Sequence, residues 1–406
     1  LNNKIVIELT NVIEGTAQLL PASKSISNRA LIINALSGGS SQLENLSDAN
    51  DTQLMLKLVS SHDKIIDVED AGTTMRFLTA YFSVIHQNKI LTGTSRMKER
   101  PIGILVDALR SLGAEIDYIE KEGYPPLETK RFGGQKATSL RVRGDISSQY
   151  ISALMMVAPT LHEGLTLMLE GRVGSRPYIE MTAAIMRHFG ASVTLTEDQV
   201  LIPHQPYHPA AFTVESDWSA ASYWFAFTAL AERAEIRLPK LLQNSLQGDS
   251  IVRDIMLSLG VTSTMENGLL KLTKSTHERE IKQDFTHCPD LAQTIAVVCV
   301  AKGIKGYFTG LESLRIKETD RIAALQRELS KIGGDLIERE THWEVIPATT
   351  LPDRATFNTY KDHRMAMAFA PLATVMETTI EDPDVVRKSY PNFWNDMKSV
   401  GFNIQA

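Results

Sequence analysis

Seven cations stand in short blocks that read as loop-to-helix junctions: Lys24, Arg29, Arg100, Lys317, Arg321, Arg364 and Lys388. The first two lie in Ser23-Lys24-Ser25-Ile26-Ser27-Asn28-Arg29, where Pro21 breaks a strand-like stretch and an apolar run from Ala30 to Leu36 follows. Ser25, Ser27 or Asn28 is expected at the helix start, where unpaired N–H groups and the helix dipole favour an anion. Alone, the block equally describes an ordinary helix cap flanked by surface charges. Blocks of the same kind recur. Asp70-Ala71-Gly72-Thr73-Thr74-Met75-Arg76 places small residues before a helix, and Gly72 leaves the backbone open to close approach. Arg96, Lys98 and Arg100 crowd together before Pro101. Asp145-Ile146-Ser147-Ser148-Gln149-Tyr150 offers two hydroxyls and an amide ahead of an apolar helix, a neutral cradle for phosphate. Gly174-Ser175-Arg176-Pro177-Tyr178 sets a serine and then a proline at the first turn of another helix.

In the second half carboxylates join the cations. His287-Cys288-Pro289-Asp290 puts an acid before an apolar helix expected over Leu291 to Val300. Arg315-Ile316-Lys317-Glu318-Thr319-Asp320-Arg321, if helical, sets Lys317 and Arg321 on one face. Asp362-His363-Arg364-Met365 and Arg387-Lys388-Ser389-Tyr390-Pro391 complete the set. Each block read singly is a solvated ion pair. Read together they describe ligands with several negative charges, held by both halves of the chain beside carboxylates able to move protons.

Other chemistries fit poorly. The histidines lack metal-ligand spacing, so no metal is expected. Cys288 has no evident paired base and reads as a small buried residue. No Walker A or dinucleotide fingerprint occurs, and no cofactor is expected. The net charge of −6 argues against a general nucleic-acid binder while allowing a local basic pocket. With two cysteines, no apolar run of the ~20 residues a membrane span needs and no signal-like segment over Leu1 to Leu20, a soluble cytoplasmic chain without a membrane partner is expected.

The elements that must position these residues announce themselves through a recurring ending: an amphipathic helix, a glycine, then a strand. It occurs at Leu112-Gly113-Ala114, Phe189-Gly190-Ala191, Leu259-Gly260-Val261, Ile332-Gly333-Gly334 and Val400-Gly401-Phe402. Glycine adopts the positive φ that closes a helix without a steric penalty. The interval is roughly 70 residues, and one step back from Gly113 reaches Val59-Ser60-Ser61, where the glycine is missing. Six βα-type units follow, the first shortened. A chain of 406 residues then divides into two α/β domains of three units each, residues 1–20 with 215–406, and residues 21–214.

In order and spacing these blocks resemble the 5-enolpyruvylshikimate-3-phosphate synthase (3-phosphoshikimate 1-carboxyvinyltransferase) family of enolpyruvyl transferases. The resemblance spans essentially the whole chain and is most specific at Ser23 to Arg29, Ala71 to Arg76, Arg96 to Ile102, Asn244 to Asp249, Arg315 to Arg321 and Asp362 to Met365. It implies two domains, each of three βαβαββ units in an inside-out α/β barrel, with the active site in the cleft between them. It also implies transfer of the enolpyruvyl group of phosphoenolpyruvate to the 5-hydroxyl of shikimate 3-phosphate, with release of phosphate, on the route to chorismate and aromatic amino acids. A tetrahedral intermediate, no cofactor, no metal and a monomeric protein belong to the same implication.

Residue by residue, the resemblance assigns Lys24, Ser25, Arg29, Ser147, Ser148, Gln149, Ser175, Tyr178, Asp290, Ser313 and Lys317 to shikimate 3-phosphate. Lys24, the Gly72 backbone, Arg100, Gln149, Arg321, Arg364 and Lys388 fall to phosphoenolpyruvate. Asp290 becomes the base at the hydroxyl and Glu318 the acid serving C3, with Lys24 or Lys388 sharing the proton transfers. Gly72 implies sensitivity to glyphosate. The sequence departs from the family pattern at Asp70, where asparagine is usual, at Phe77, where proline is common, and at Ser313, where asparagine often stands. The related transferase acting on UDP-N-acetylglucosamine normally carries a Lys-Asn pair near its start and often a loop cysteine. Here Ser25 follows Lys24, and no cysteine lies between Arg96 and Ile102. A non-catalytic anion-binding protein of the same fold would have no use for Asp290 and Glu318 together.

Overall fold

The helix Gly103–Leu112 ends on Gly113, whose φ of 115° turns the chain directly into the strand Ala114–Tyr118. Gly401, at φ 111°, follows the helix Phe393–Ser399 in the same way before Ile404–Gln405. Gly190, Gly260 and Gly333 also have positive φ behind their helices. These junctions generate a repeated sheet. The computed structural model describes residues 3–144, 147–171 and 173–405.

Among the described residues, five four-stranded sheets share one plan. In one of them Ile65–Asp67 runs parallel to Lys89–Thr92, which pairs antiparallel with Leu127–Phe132, itself antiparallel to Ala114–Tyr118. The parallel pair needs a crossover, supplied by the helix Gly72–Val84, while the antiparallel pair closes as a hairpin. The sixth sheet is only the parallel pair Gln42–Glu44 and Ala211–Thr213. There the helix Asn50–Val59 runs out at Ser60 without a glycine, and the chain enters the next sheet at Ile65 with no hairpin between.

Clustering of contacts divides the chain into residues 1–22 with 215–406, and residues 23–214. The first unit has three four-stranded sheets; the second has two and the short pair. Pro21 O accepts a hydrogen bond from Asp217 N at 2.9 Å and Ala22 bridges Ser216, so Pro21 and Ala22 go with the first unit and the second starts at Ser23. In the first unit the strand Lys4–Ile7 lies between Glu377–Glu381 and Ile404–Gln405, antiparallel to both.

Helices form the interior of each unit. In the first, Trp218–Leu230 is buried at every position except Ser219, as expected of a helix apolar on all sides. In the second, Lys24–Leu36, Gly72–Val84 and Ser148–Val157 are buried over most of their length. The strands cover them with one face: along Arg233–Pro239, Ala234, Ile236 and Leu238 are buried and their alternates are not. No described helix is long and apolar enough to cross a membrane.

Candidate active site

In the second unit the cap of the first helix is Ser23, not Ser25, Ser27 or Asn28, because the helix begins a turn early and Ser23 Oγ accepts from Ile26 N at 3.4 Å. Lys24 is therefore in the first turn, where its Nζ meets Asp51 Oδ2 at 3.1 Å. Asp51 belongs to the first turn of Asn50–Val59, and its carbonyl accepts from Thr74 Oγ1 at 3.3 Å. Beside Thr74, Thr73 Oγ1 accepts from Gln149 Nε2 at 3.1 Å. Gln149 lies in the first turn of Ser148–Val157, capped by Ser147 Oγ, which accepts from Gln149 N at 3.3 Å. Hydrogen bonds thus join the first turns of four helices, so their positive dipole ends gather at one place.

A fifth helix, Arg176–His188, joins through Arg29. That guanidinium donates to Thr182 Oγ1 at 2.7 Å, Ser152 Oγ at 3.1 Å and Ser25 O at 2.8 Å. The Phe77 and Tyr178 rings lie over it at 5.3 and 5.7 Å. Arg29 is buried, and burial lowers its pKa to about 10. Its described hydrogen-bond partners are hydroxyls and a carbonyl, none of which cancels its charge. Ser175 caps the fifth helix in a left-handed conformation, φ 54°, without using its hydroxyl for the cap.

Gly72 opens the helix Gly72–Val84 against two arginines. A Cβ there would come within 2.6 Å of Arg100 Nη1 and 2.7 Å of Arg76 Nη1. Arg76 Nη1 also donates to Gly72 O at 2.7 Å. Asp70 is half-buried in the preceding turn. Asp145 and Ile146, ahead of Ser147, lie outside the described residues.

The first unit gathers a denser set. Asp290 sits in the short 3-10 turn Pro289–Leu291, with the helix proper starting at Ala292 rather than at Leu291. Its Oδ1 accepts from Arg321 Nη1 at 3.0 Å and its Oδ2 from Arg364 Nη2 at 2.8 Å. Burial alone would raise its pKa, but Arg364, Lys317 and Arg321 outweigh burial and hold it well below the usual carboxylate range. Glu318 accepts from Arg321 Nη2 at 2.9 Å and stands 3.6 Å from Lys388 Nζ. Asp362 accepts from Arg321 Nε at 2.7 Å and from Arg364 N at 2.9 Å. Three carboxylates thus share one buried guanidinium; burial would lower its pKa, and they raise it.

Lys317 and Arg321 do not share a helical face. Lys317 ends the 3-10 turn Glu312–Ile316 in extended backbone, and Asp320 caps a new helix, Arg321–Ser330, by accepting from Ala323 N at 3.1 Å. Electrostatics still couple Lys317 to Asp290. Ser313 is exposed on the same 3-10 turn.

Such a cluster can bind carboxylate and phosphate through arginine forks, and it keeps an ionised carboxylate ready to accept a proton. Among the described residues no group of three His, Cys, Asp or Glu is placed to hold a metal ion.

The family model described as EPSP synthase (3-phosphoshikimate 1-carboxyvinyltransferase) matches residues 8–62 and 57–397. The chain belongs to the EPSP synthase family. It is 48% identical over 413 residues to the 3-phosphoshikimate 1-carboxyvinyltransferase of Bacteroides fragilis (strain YCH46), covering 99% of each protein. It is 37% identical to the enzyme of that name from Sodalis glossinidius (strain morsitans), over 94% of each. The solved EPSP synthase of Acinetobacter baumannii superimposes with a TM-score of 0.80 over 99% of this chain and all of that one; at 18% identity the likeness shows the fold.

Against the EPSP synthase pattern, the departure at Phe77 has a visible role, since its ring lies against the Arg29 guanidinium. Several site neighbours have no role assigned from the sequence. Asp362 carried a signal, standing as a helix-capping type before an apolar run. Asp249, in the Asn244 to Asp249 block, accepts from Ser219 Oγ, and burial followed by the charge of Asp290 raises its pKa to about 7. Tyr223, whose hydroxyl accepts from Arg364 Nη1 at 3.3 Å, is hidden inside an apolar helix and gives no sequence signal.

Proposed function

We propose that this member of the EPSP synthase family transfers the enolpyruvyl group of phosphoenolpyruvate to the 5-hydroxyl of shikimate 3-phosphate, releasing phosphate. The observation that carries the reading is the state of Asp290: a carboxylate kept ionised between Arg321 and Arg364, beside a second carboxylate, Glu318, flanked by Arg321 and Lys388. Asp290 takes the proton of the 5-hydroxyl as its oxygen adds to C2 of phosphoenolpyruvate, and the Glu318–Lys388 pair delivers a proton to C3. The tetrahedral intermediate then returns the C3 proton to the Glu318–Lys388 pair as the bond to the phosphate oxygen breaks, and the leaving phosphate takes up the proton held by Asp290. Preorganised cations stabilise charge on the carboxylate and the leaving phosphate.

Arg321, Arg364 and Lys388, with Lys24, Gly72, Arg100 and Gln149 of the second unit, serve phosphoenolpyruvate. Ser25, Arg29, Ser147, Ser148, Ser175 and Tyr178, with Lys24 and Gln149, serve shikimate 3-phosphate, as do Asp290, Ser313 and Lys317 of the first unit. The gathered helix N-termini of the second unit and its buried Arg29, whose described hydrogen-bond partners are uncharged, support this division. The enzyme acts as a monomer in the cytoplasm, at the step that leads towards chorismate.

Phosphate release from shikimate 3-phosphate plus phosphoenolpyruvate tests the proposal. Steady turnover is the expected result. No turnover with that pair, and turnover with UDP-N-acetylglucosamine instead, would overturn it.

A further inference from the structure

Lys388 ends the 3-10 turn Pro383–Lys388, and a lysine on a flexible stem reaches only where its backbone is held. Both ends of that turn are clamped. Trp394 Nε1 donates to Pro383 O at 3.0 Å, and Tyr390 N donates to Val386 O at 2.8 Å. Tyr390 is itself fixed by a buried chain of polar groups. Trp224 Nε1 donates to its hydroxyl at 3.1 Å, and the hydroxyl donates to Asp396 Oδ2 at 2.5 Å. The other oxygen of Asp396 accepts from Leu19 N at 3.0 Å. Trp224 and Tyr390 are fully buried and Asp396 is 1% exposed.

An apolar core of the same shape would need none of these groups, and a buried carboxylate is expensive unless its hydrogen bonds are made. What the chain of bonds provides is direction. It ties the segment after Lys388 to the central helix Trp218–Leu230, the element whose Tyr223 touches Arg364. We propose that Tyr390, hydrogen-bonded between Trp224 and Asp396, is a positioning residue for Lys388, and through it for phosphoenolpyruvate. This rests on the assignment of Lys388 to phosphoenolpyruvate given above.

The test compares wild type, Tyr390→Phe, Lys388→Met and the double variant. Equilibrium titration with phosphoenolpyruvate alone gives its Kd for all four, and steady-state assays give KM for each substrate in the wild type and Tyr390→Phe. Tyr390→Phe removes both hydrogen bonds of the buried hydroxyl and is expected to weaken phosphoenolpyruvate about tenfold, while KM for shikimate 3-phosphate changes less than about twofold. In the Lys388→Met background the same change is expected to have less than about twofold effect, because contacting residues are not additive. Equal losses for both substrates, or an undiminished loss in the Lys388→Met background, would reduce Tyr390 to a packing residue and overturn the inference. If Tyr390→Phe does not fold, Trp224→Phe removes the N–H donor, together with part of a buried ring, and is held to the same two criteria. A wild type that fails to turn over defeats the functional reading, whereas an active wild type with an indifferent Tyr390→Phe defeats only the positioning role.

Discussion

Asp290 and Arg364 meet at 2.8 Å, Oδ2 to Nη2, while Arg321 occupies the other carboxylate oxygen at 3.0 Å. The acid is thus held between two forks and stays ionised. The base proposed at Asp290 loses its function when its charge is removed, even if its shape is kept. Asp290→Asn is expected to lower kcat by roughly 10²- to 10⁴-fold. Asp290→Ala is expected to abolish turnover with phosphoenolpyruvate still bound. Titration of each variant with phosphoenolpyruvate checks this; loss of all binding would mark Asp290 as structural.

Arg321 answers three carboxylates at once, Asp290, Glu318 and Asp362. A lysine there offers one point charge in place of a planar fork, and some of these buried oxygens lose their partner. Arg321→Lys is expected to destabilise the first unit by about 3–5 kcal/mol, the usual loss when a buried pair is broken from one side. Denaturant unfolding measures it, and an unchanged midpoint would mean that the three acids are solvated or protonated in the variant.

Gly72 is outside the left-handed region, so alanine meets no backbone strain there. What it meets is Arg100 and Arg76, whose Nη1 atoms would lie 2.6 and 2.7 Å from the new methyl group. Gly72→Ala is expected to raise KM for phosphoenolpyruvate by roughly ten- to a hundredfold through displacement of Arg100, with glyphosate weakened in parallel. Steady-state kinetics with both substrates varied decide the matter. A KM for shikimate 3-phosphate that rises equally would refute a local effect.

Asp249 supplies a dependence on pH. Burial first, and the negative charge of Asp290 next, raise its pKa from 3.8 to about 7. Between those values the folded chain keeps a proton that the unfolded chain has lost, so stability falls as pH rises towards 7. The penalty is complete above that pH. Asp249→Asn is expected to raise Tm by a few degrees at pH 8, by less at pH 6, and not at all below about pH 4. Thermal unfolding across that series provides the test, and a shift independent of pH would contradict it.

The parts of the site legible in the sequence are local ones. A serine or aspartate before an apolar run and a glycine after a helix act within a few residues, so the loop-to-helix blocks and the helix endings could be read directly. The choice of cap was harder: Ser23, Ser25 and Ser27 are chemically alike, and packing selects Ser23. Lys317 and Arg321 have helical spacing, yet Asp320 starts a new helix between them, a competition that spacing alone does not settle. Long-range partners left no trace. Lys24 finds Asp51 in another helix, and Trp224 finds Tyr390 across most of the first unit, each side chain polar only at its tip. Arg29 reads from its block as a ligand cation, while its enclosure by Phe77 and Tyr178, distant in the chain, has no local signal.

The strand Lys4–Ile7, inserted between Glu377–Glu381 and Ile404–Gln405, bears on how the protein is made. On the ribosome this strand emerges before any of the second unit, finds its first neighbour only once residues 377–381 are made, and its second only after residue 405 has been added. Residues 23–214 are contiguous and can fold as soon as they leave the exit tunnel, whereas the first unit must wait. At about 5–20 residues per second, that delay leaves two unpaired edges open for tens of seconds. Lys4-Ile5-Val6-Ile7, whose Ile5 and Ile7 are buried once the sheet closes, is therefore a β-forming segment that the nascent chain must keep from pairing elsewhere.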